Sequence, residues 1–273
     1  TGYYAWTDGM NEKGLYVALQ YHPGTAVFSS PDGVADDKLM SAIHLATLTL
    51  TTCANVSEVR AKLGEVVVWP FVLGPMGMAP PCHFVFHDAS GACIAVEWDA
   101  GEMKIYDNPY GVFTNSPEFT WHTTNLRNYT HLSPDNPGVI TVAGQKLAPF
   151  GVGQGMQGLP GDNSSPSRFV RAAVYVATAP QQADAAAAQH EVFHMMNNFD
   201  IPDGFSASGE GVGIDDVTYW TTISNLADLT YNVRTVTDSS YRKVALADLD
   251  FEASAAKSVD LPANPEFAPF PGL

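Results

Sequence analysis

Residues 83–87 and 92–98 are apolar, β-friendly stretches on either side of Asp88-Ala89-Ser90-Gly91, a sequence of turn formers. The pattern predicts a hairpin that sets Cys93 opposite Phe86, and a lone hairpin cannot bury its own faces, so it demands a larger sheet. A third strand is predicted at residues 102–106 and a fourth in a run ending at Phe113-Thr114-Asn115, which together give an antiparallel sheet. Residues 14–21 read as an earlier strand, and residues 66–81 as a strand entering a Pro/Gly loop.

Apolar residues recur at helical spacing over residues 36–52 (Leu39, Ile43, Ala46, Leu50), and Asn55 opens a second helix that ends near Gly64. Further helices are predicted at 118–131, 165–178 and 181–197, followed by strands at 217–224, 230–236 and 241–246. Strands, then helices, then strands again describe an α+β domain over residues 1–257, with two sheets facing each other between helix layers. Residues 258–273 hold four prolines and few core formers and read as an extended C-terminal tail.

With 45% of 273 residues hydrophobic, the chain can fill such a core. Thirteen Lys and Arg against 29 Asp and Glu leave a net charge of −16, which repels phosphate backbones and anionic headgroups, so nucleic acid and membrane surfaces are excluded as partners. Cys53, Cys82 and Cys93 are an odd, small set that reads as reduced core residues.

His190-Glu191-Val192-Phe193-His194 has the form of a zinc-peptidase helix, with two imidazoles on one face and Glu191 as general base. The extended form of that motif requires Gly at 197 and His at 200, where Asn197 and Asp200 stand, and Glu210 lies in a Gly-rich loop. The competing reading is a helix that turns Val192, Phe193 and Met196 to the core. The glycines of residues 151–158 lack the spacing of a phosphate loop. Residues 158–171 join a Pro-Gly turn to a Ser-Ser-Pro helix start, with Arg168 and Arg171 three apart near the helix N-terminus. Cations there oppose the macrodipole and need a counterpart, either an ordinary carboxylate or a polarised reacting group. Asn115, between a predicted strand and a helix, can either donate to an oxyanion or cap the helix.

Residues 8–15 (Asp-Gly-Met-Asn-Glu-Lys-Gly-Leu), 114–119 (Thr-Asn-Ser-Pro-Glu-Phe), 125–129, 158–171 and 230–234 together resemble the choloylglycine hydrolase family, which contains bile salt hydrolases and penicillin V acylases. The resemblance implies an αββα sandwich of the N-terminal-nucleophile (Ntn) class. It also implies hydrolysis of linear amide bonds in small N-acyl amides, no cofactor or metal, and a homotetramer. In that family an amino-terminal Cys attacks the amide and its own α-amino group is the base. By motif, Asn115 matches the oxyanion asparagine, Arg171 the late catalytic arginine, and Gln20 the residue whose backbone N–H completes the oxyanion hole. The nucleophilic Cys, and the Arg and Asp that follow it, are absent from this chain, so the resemblance implies a leading segment ahead of Thr1; Thr1 as a threonine nucleophile is the other option. Loops 22–33 and 74–81, with Phe28, Met76 and Met78, are expected to wall an acyl group.

Three readings therefore differ in what abolishes activity. An amidase of this kind is expected to lose turnover to a thiol-alkylating agent and keep it with a chelator. A zinc peptidase built on His190, Glu191 and His194 does the reverse, and a non-catalytic acyl-amide-binding paralogue shows neither loss.

Overall fold

The computed structural model describes residues 6–74, 77–206 and 217–261. The chain begins with a hairpin of β1 (Asp8–Met10) and β2 (Leu15–Tyr21). Asn11 closes the turn: its Oδ1 accepts from the Lys13 and Leu15 N–H groups at 3.1 and 3.0 Å. Its Nδ2 donates to the carbonyls of Leu50 and Cys53 at 2.9 and 2.8 Å. One buried carboxamide thus joins the first hairpin to the end of a helix.

Next come β3 (Leu39–Ser41), α1 (Ala42–Thr52), α2 (Val56–Leu63) and β4 (Val67–Trp69). Helix α2 starts as its sequence predicts: Asn55 Oδ1 accepts from Glu58 N–H at 3.0 Å, and the Glu58 carboxylate takes the Ala54 N–H at 2.8 Å. Strands β5 (Cys82–Asp88), β6 (Cys93–Asp99) and β7 (Glu102–Asp107) complete an antiparallel sheet of order β1-β2-β5-β6-β7. After it follow α3 (Phe119–Asn125), the hairpin β8 (Ile140–Val142) and β9 (Gln145–Leu147), α4 (Ser165–Thr178) and α5 (Ala185–Asn197). The second sheet is β10 (Trp220–Asn225), β11 (Thr230–Thr235) and β12 (Arg242–Ala245).

The large sheet is covered on both sides. On one face Leu15, Val17, Phe84, Phe86, Ile94, Val96 and Trp98 pack on Leu45 and Ala46 of α1 and on Val56, Val59 and Leu63 of α2. On the other, Ala95 meets Phe119 of α3 and Phe169 and Ala173 of α4. Beyond them a cavity of about 650 Å³ separates Ala18, Gln20, Val85 and His87 from Met195 and Met196 of α5 and Trp220 of β10. Asp8 ties the sheets at its edge, accepting from Thr222 Oγ1 at 2.6 Å and from the Tyr231 hydroxyl at 3.0 Å. No helix among the described residues is long and apolar enough to cross a membrane.

Four expectations are corrected. Residues 36–41 are a 3-10 turn and β3 rather than helix, because residues 39–41 pair in parallel with β4, and that pairing overrides the local spacing. The hairpin pairs Cys93 with His87, one residue away from the expected register. Its loop has three residues, with Gly91 left-handed at φ 88°, and Asp88 N–H donates to Ala92 O. The run ending at Asn115 is not a strand. Asn108 turns the chain off the sheet edge by donating to Val112 O and accepting from Tyr110 N–H. The last α3 turns tighten to 3-10 at Leu126–Tyr129 rather than continuing as α-helix to 131. Residues 258–261 are exposed, and the remainder of the expected tail lies outside the described residues.

Replacing Asn11 by Ala leaves two carbonyls and two N–H groups without their partner. The variant is expected to lose about 2–4 kcal/mol of unfolding free energy in a urea titration. A loss below about 0.5 kcal/mol would show that the carboxamide is not the tie described.

Candidate active site

Asn115 lies half-buried in the loop after β7, where it bridges two elements. Its Nδ2 donates to Tyr21 O at the end of β2, at 2.7 Å, and its Oδ1 accepts from Arg168 Nη2 on α4, also at 2.7 Å. It does not cap α3: the cap position is Glu118, which makes no side-chain cap bond.

The backbone group that meets this carboxamide belongs to Tyr21, one residue beyond Gln20. Along β2, Leu19 N–H donates to Thr7 O on the β1 side and His22 N–H to Pro81 O on the β5 side. Alternation therefore turns the Gln20 N–H into the ladder with His83, while the N–H and C=O of Tyr21 face the side where β1 has ended and Asn115 sits. The Gln20 side chain lines the cavity between the sheets.

The arginine that reaches Asn115 is likewise Arg168 and not Arg171. Arg171 is 5% exposed and donates through Nη1 to Pro160 O and Asp162 O at 2.9 and 2.6 Å, with its guanidinium over the Phe199 ring. It pins the loop before α4. Arg168, one turn nearer the helix start, also donates through Nε to Asn163 O at 3.0 Å. Both guanidiniums thus donate to backbone carbonyls of the loop before α4.

Behind Asn115 lies a buried polar group that the sequence reading did not single out. The register pairing Phe84 with Val96 brings His83 across from Glu97, and His83 Nδ1 meets Glu97 Oε1 at 2.9 Å. His83 Nε2 meets Thr114 O at 2.7 Å, and Glu97 accepts the Phe119 N–H at 3.1 Å. A carbonyl has no hydrogen to give, so Nε2 carries one, and the Nδ1 contact needs a second proton. The pair therefore holds one shared proton and no net charge. Burial pushes the Glu97 carboxyl up and His83 down to about 3. His122 Nε2 meets Asn115 O at 2.9 Å, and burial lowers its pKa. His22 stacks on His83 at 3.9 Å, and its Nδ1 meets Ser116 Oγ at 3.2 Å. Polar residues at 83 and 97, inside otherwise apolar strands, were the available signal: a sheet buried on both faces must pair them.

Ligand atoms of His22, His83 and Glu97 lie within 4.8 Å of one another. The two rings, however, are only 14° from parallel, and a metal about 2.1 Å from both nitrogens must lie near both ring planes. Stacked planes do not meet there, so the set fits hydrogen bonding and not a metal. His190, Glu191 and His194 on α5 gather no third ligand among the described residues. Phe28 is 8% exposed and packs on Trp98 in the core. Met78 is 44% exposed; Met76, Thr1 and Glu210 lie outside the described residues. The three cysteines are buried and free, and burial pushes Cys82 and Cys93 up to about 12, opposite to an activated nucleophile.

Burial, and then His83, hold His22 at about 4 rather than 6.5. Between these values the unfolded chain takes a proton that the folded protein refuses. This contribution to stability is full above about pH 6.5 and declines as pH falls toward 4. His22→Asn is expected to show a shallower acid decline in urea midpoints than the wild type; parallel declines would contradict the assignment.

A model of the linear amide C–N hydrolases, choloylglycine hydrolase family, matches residues 1–259. The conjugated bile acid hydrolase of Lactobacillus acidophilus is 34% identical over 231 residues, covering 84% of this chain and 72% of the relative. The penicillin V acylase of Pectobacterium atrosepticum is 26% identical over 289 residues, covering 95% and 66%. A solved variant of the conjugated bile acid hydrolase from Clostridium perfringens aligns with a TM-score of 0.85 at 26% identity, over 95% of this chain and 78% of that one. The helix, sheet, sheet, helix order is the Ntn-hydrolase sandwich of these neighbours. The chain belongs to the choloylglycine hydrolase family and is a hydrolase of linear amide C–N bonds.

Proposed function

We propose that the protein cleaves small N-acyl amides, with conjugated bile acids as the leading substrate class and penicillin V the second. The 34% identity to a conjugated bile acid hydrolase supports that order over the 26% identity to a penicillin V acylase. The observation that carries the chemistry is the carboxamide of Asn115, locked between Tyr21 O and Arg168.

Asn115 Nδ2 has two hydrogens and spends one on Tyr21, so the other, together with the Tyr21 N–H, is available to an oxyanion. The Arg168 guanidinium on Oδ1 draws electron density from the amide and strengthens its N–H as a donor. In this reading a thiolate, the amino-terminal Cys of the family resemblance, attacks the amide carbon. The amine leaves with a proton, and water then releases the acyl group. Cys53, Cys82 and Cys93 are buried, and burial pushes Cys82 and Cys93 up to about 12, which does not suit that role.

Residues 77–81 lead into β5 at Cys82, directly opposite Tyr21 and four residues after Met78, which supports Met78 as part of an apolar acyl wall at that end of the sheet. Assembly into a homo-oligomer, a tetramer by the family resemblance, is supported by the β8–β9 arm. Val139, Ile140 and Val142 are more than half exposed there, and Phe150 and Val152 fully so, a patch that a second copy would cover.

Asn115→Ala in the full-length enzyme is expected to lower kcat for a conjugated bile acid by about 10²- to 10³-fold. Wild-type turnover by that variant would remove Asn115 from the oxyanion hole.

A further inference from the structure

Three consecutive residues of the loop that carries the carboxamide are each held by a different buried histidine. His83 Nε2 lies 2.7 Å from Thr114 O, His122 Nε2 lies 2.9 Å from Asn115 O, and His22 Nδ1 lies 3.2 Å from Ser116 Oγ. The three come from separate places in the fold: the residue after β2, the second position of β5, and the middle of α3. None is more than 2% exposed. Desolvating an imidazole is unfavourable, and an exposed loop of this length satisfies its carbonyls with water at little cost, so simple loop closure does not account for three of them.

Their hydrogens are fixed by what they face. Carbonyl oxygens only accept, so His83 and His122 each donate from Nε2. The Ser116 hydroxyl donates to Pro23 O at 2.8 Å, and therefore accepts from His22 Nδ1–H. Glu97 fixes His83 from behind through Nδ1, and it fixes the start of α3, the helix that bears His122, through the Phe119 N–H. The cradle also closes sideways: Thr114 Oγ1 accepts from Ser165 Oγ of α4 at 3.1 Å, three residues before Arg168. Every element that touches Asn115 is thereby referenced to one polar cluster.

We infer that His83 and His122 are positioning residues for Asn115, with Glu97 and His22 as their supports: they fix the peptides on either side of the Asn115 α-carbon so that its carboxamide is preset toward the oxyanion. This rests on the reading of Asn115 as an oxyanion donor. Neither histidine touches substrate or transfers a proton. A donor that acts only on charge developing in the transition state affects kcat when it is misaligned, and displacement by about 1 Å can cost on the order of 10²-fold.

The test measures kcat and KM in the full-length enzyme for His83→Leu, His83→Gln, His122→Leu, His122→Gln and Asn115→Ala, and for each Leu variant combined with Asn115→Ala. The Leu variants are expected to lower kcat by about 10- to 100-fold with KM within about twofold. Gln, whose amide nitrogen can take the Nε2 position, is expected to restore kcat to within about threefold of wild type. Once Asn115 is Ala, either Leu change should cost less than about threefold more, because the group it aligns is gone. Wild-type kcat in the Leu variants, a loss carried by KM, no recovery with Gln, or losses that multiply with Asn115→Ala would each overturn the inference. Should a Leu variant fail to fold, His→Asn against His→Gln decides: Asn offers its donor at the Nδ1 position, so it must fall below Gln in kcat, and equality overturns the inference. Wild-type kcat in Asn115→Ala removes the underlying reading itself, whereas an impaired Asn115→Ala beside unaffected histidine variants removes only this inference.

Discussion

A sheet closed off from water on both faces has to satisfy every polar group it contains from within. Strands β5 and β6 are buried almost end to end, with helices α1 and α2 on one side and α3 and α4 on the other. Most of their residues are apolar and need only packing. His83 and Glu97 are not, and their pairing across the two strands leaves one ring nitrogen pointing off the sheet. That nitrogen finds the Thr114 carbonyl, and the loop carrying Asn115 is drawn against the sheet at that point. The position of the Asn115 carboxamide is in this sense a consequence of how a doubly buried sheet accommodates two polar side chains.

The same economy recurs at the other joints of the molecule. Asn11 closes the first hairpin and receives the end of α1 with one side chain, and Asp8 links the two sheets through hydroxyls of β10 and β11. Each is a single polar group serving two elements far apart in sequence. An acidic chain with only thirteen Lys and Arg relies on carboxamides, hydroxyls and neutral imidazoles for these joints more than on ion pairs.

Local sequence made much of this visible. Asn55 announced α2, Ser165–Thr178 emerged as the predicted helix, and strands then helices then strands gave the layers. What local sequence could not show were pairings made at a distance. Residues 39–41 have helical spacing yet become a strand because residues 67–69 lie alongside them. A three-residue loop rather than a four-residue one shifted the hairpin register by one, which no propensity distinguishes. At the site, motif matching pointed to Asn115. It pointed to the backbone donor at Gln20 and the arginine at Arg171, whereas the groups that meet the Asn115 carboxamide are Tyr21 O and Arg168. Which side an N–H or a guanidinium faces depends on where β1 stops and how α4 lies on the sheet, and neither is a local property. The buried histidines were passed over because nothing in the chain marks residues 22, 83 and 122 as neighbours.

The protein is a linear amide hydrolase, and the proposed donor in its reaction is the Asn115 carboxamide, held by Arg168 on one side and Tyr21 on the other. The most direct measurement is a crystal structure of the full-length enzyme with an acyl-amide analogue trapped as a tetrahedral adduct. The adduct's oxygen is predicted to lie about 2.7–3.1 Å from both Asn115 Nδ2 and the Tyr21 backbone nitrogen. An adduct oxygen held by other donors, with the Asn115 carboxamide turned away from it, would contradict this account of the site.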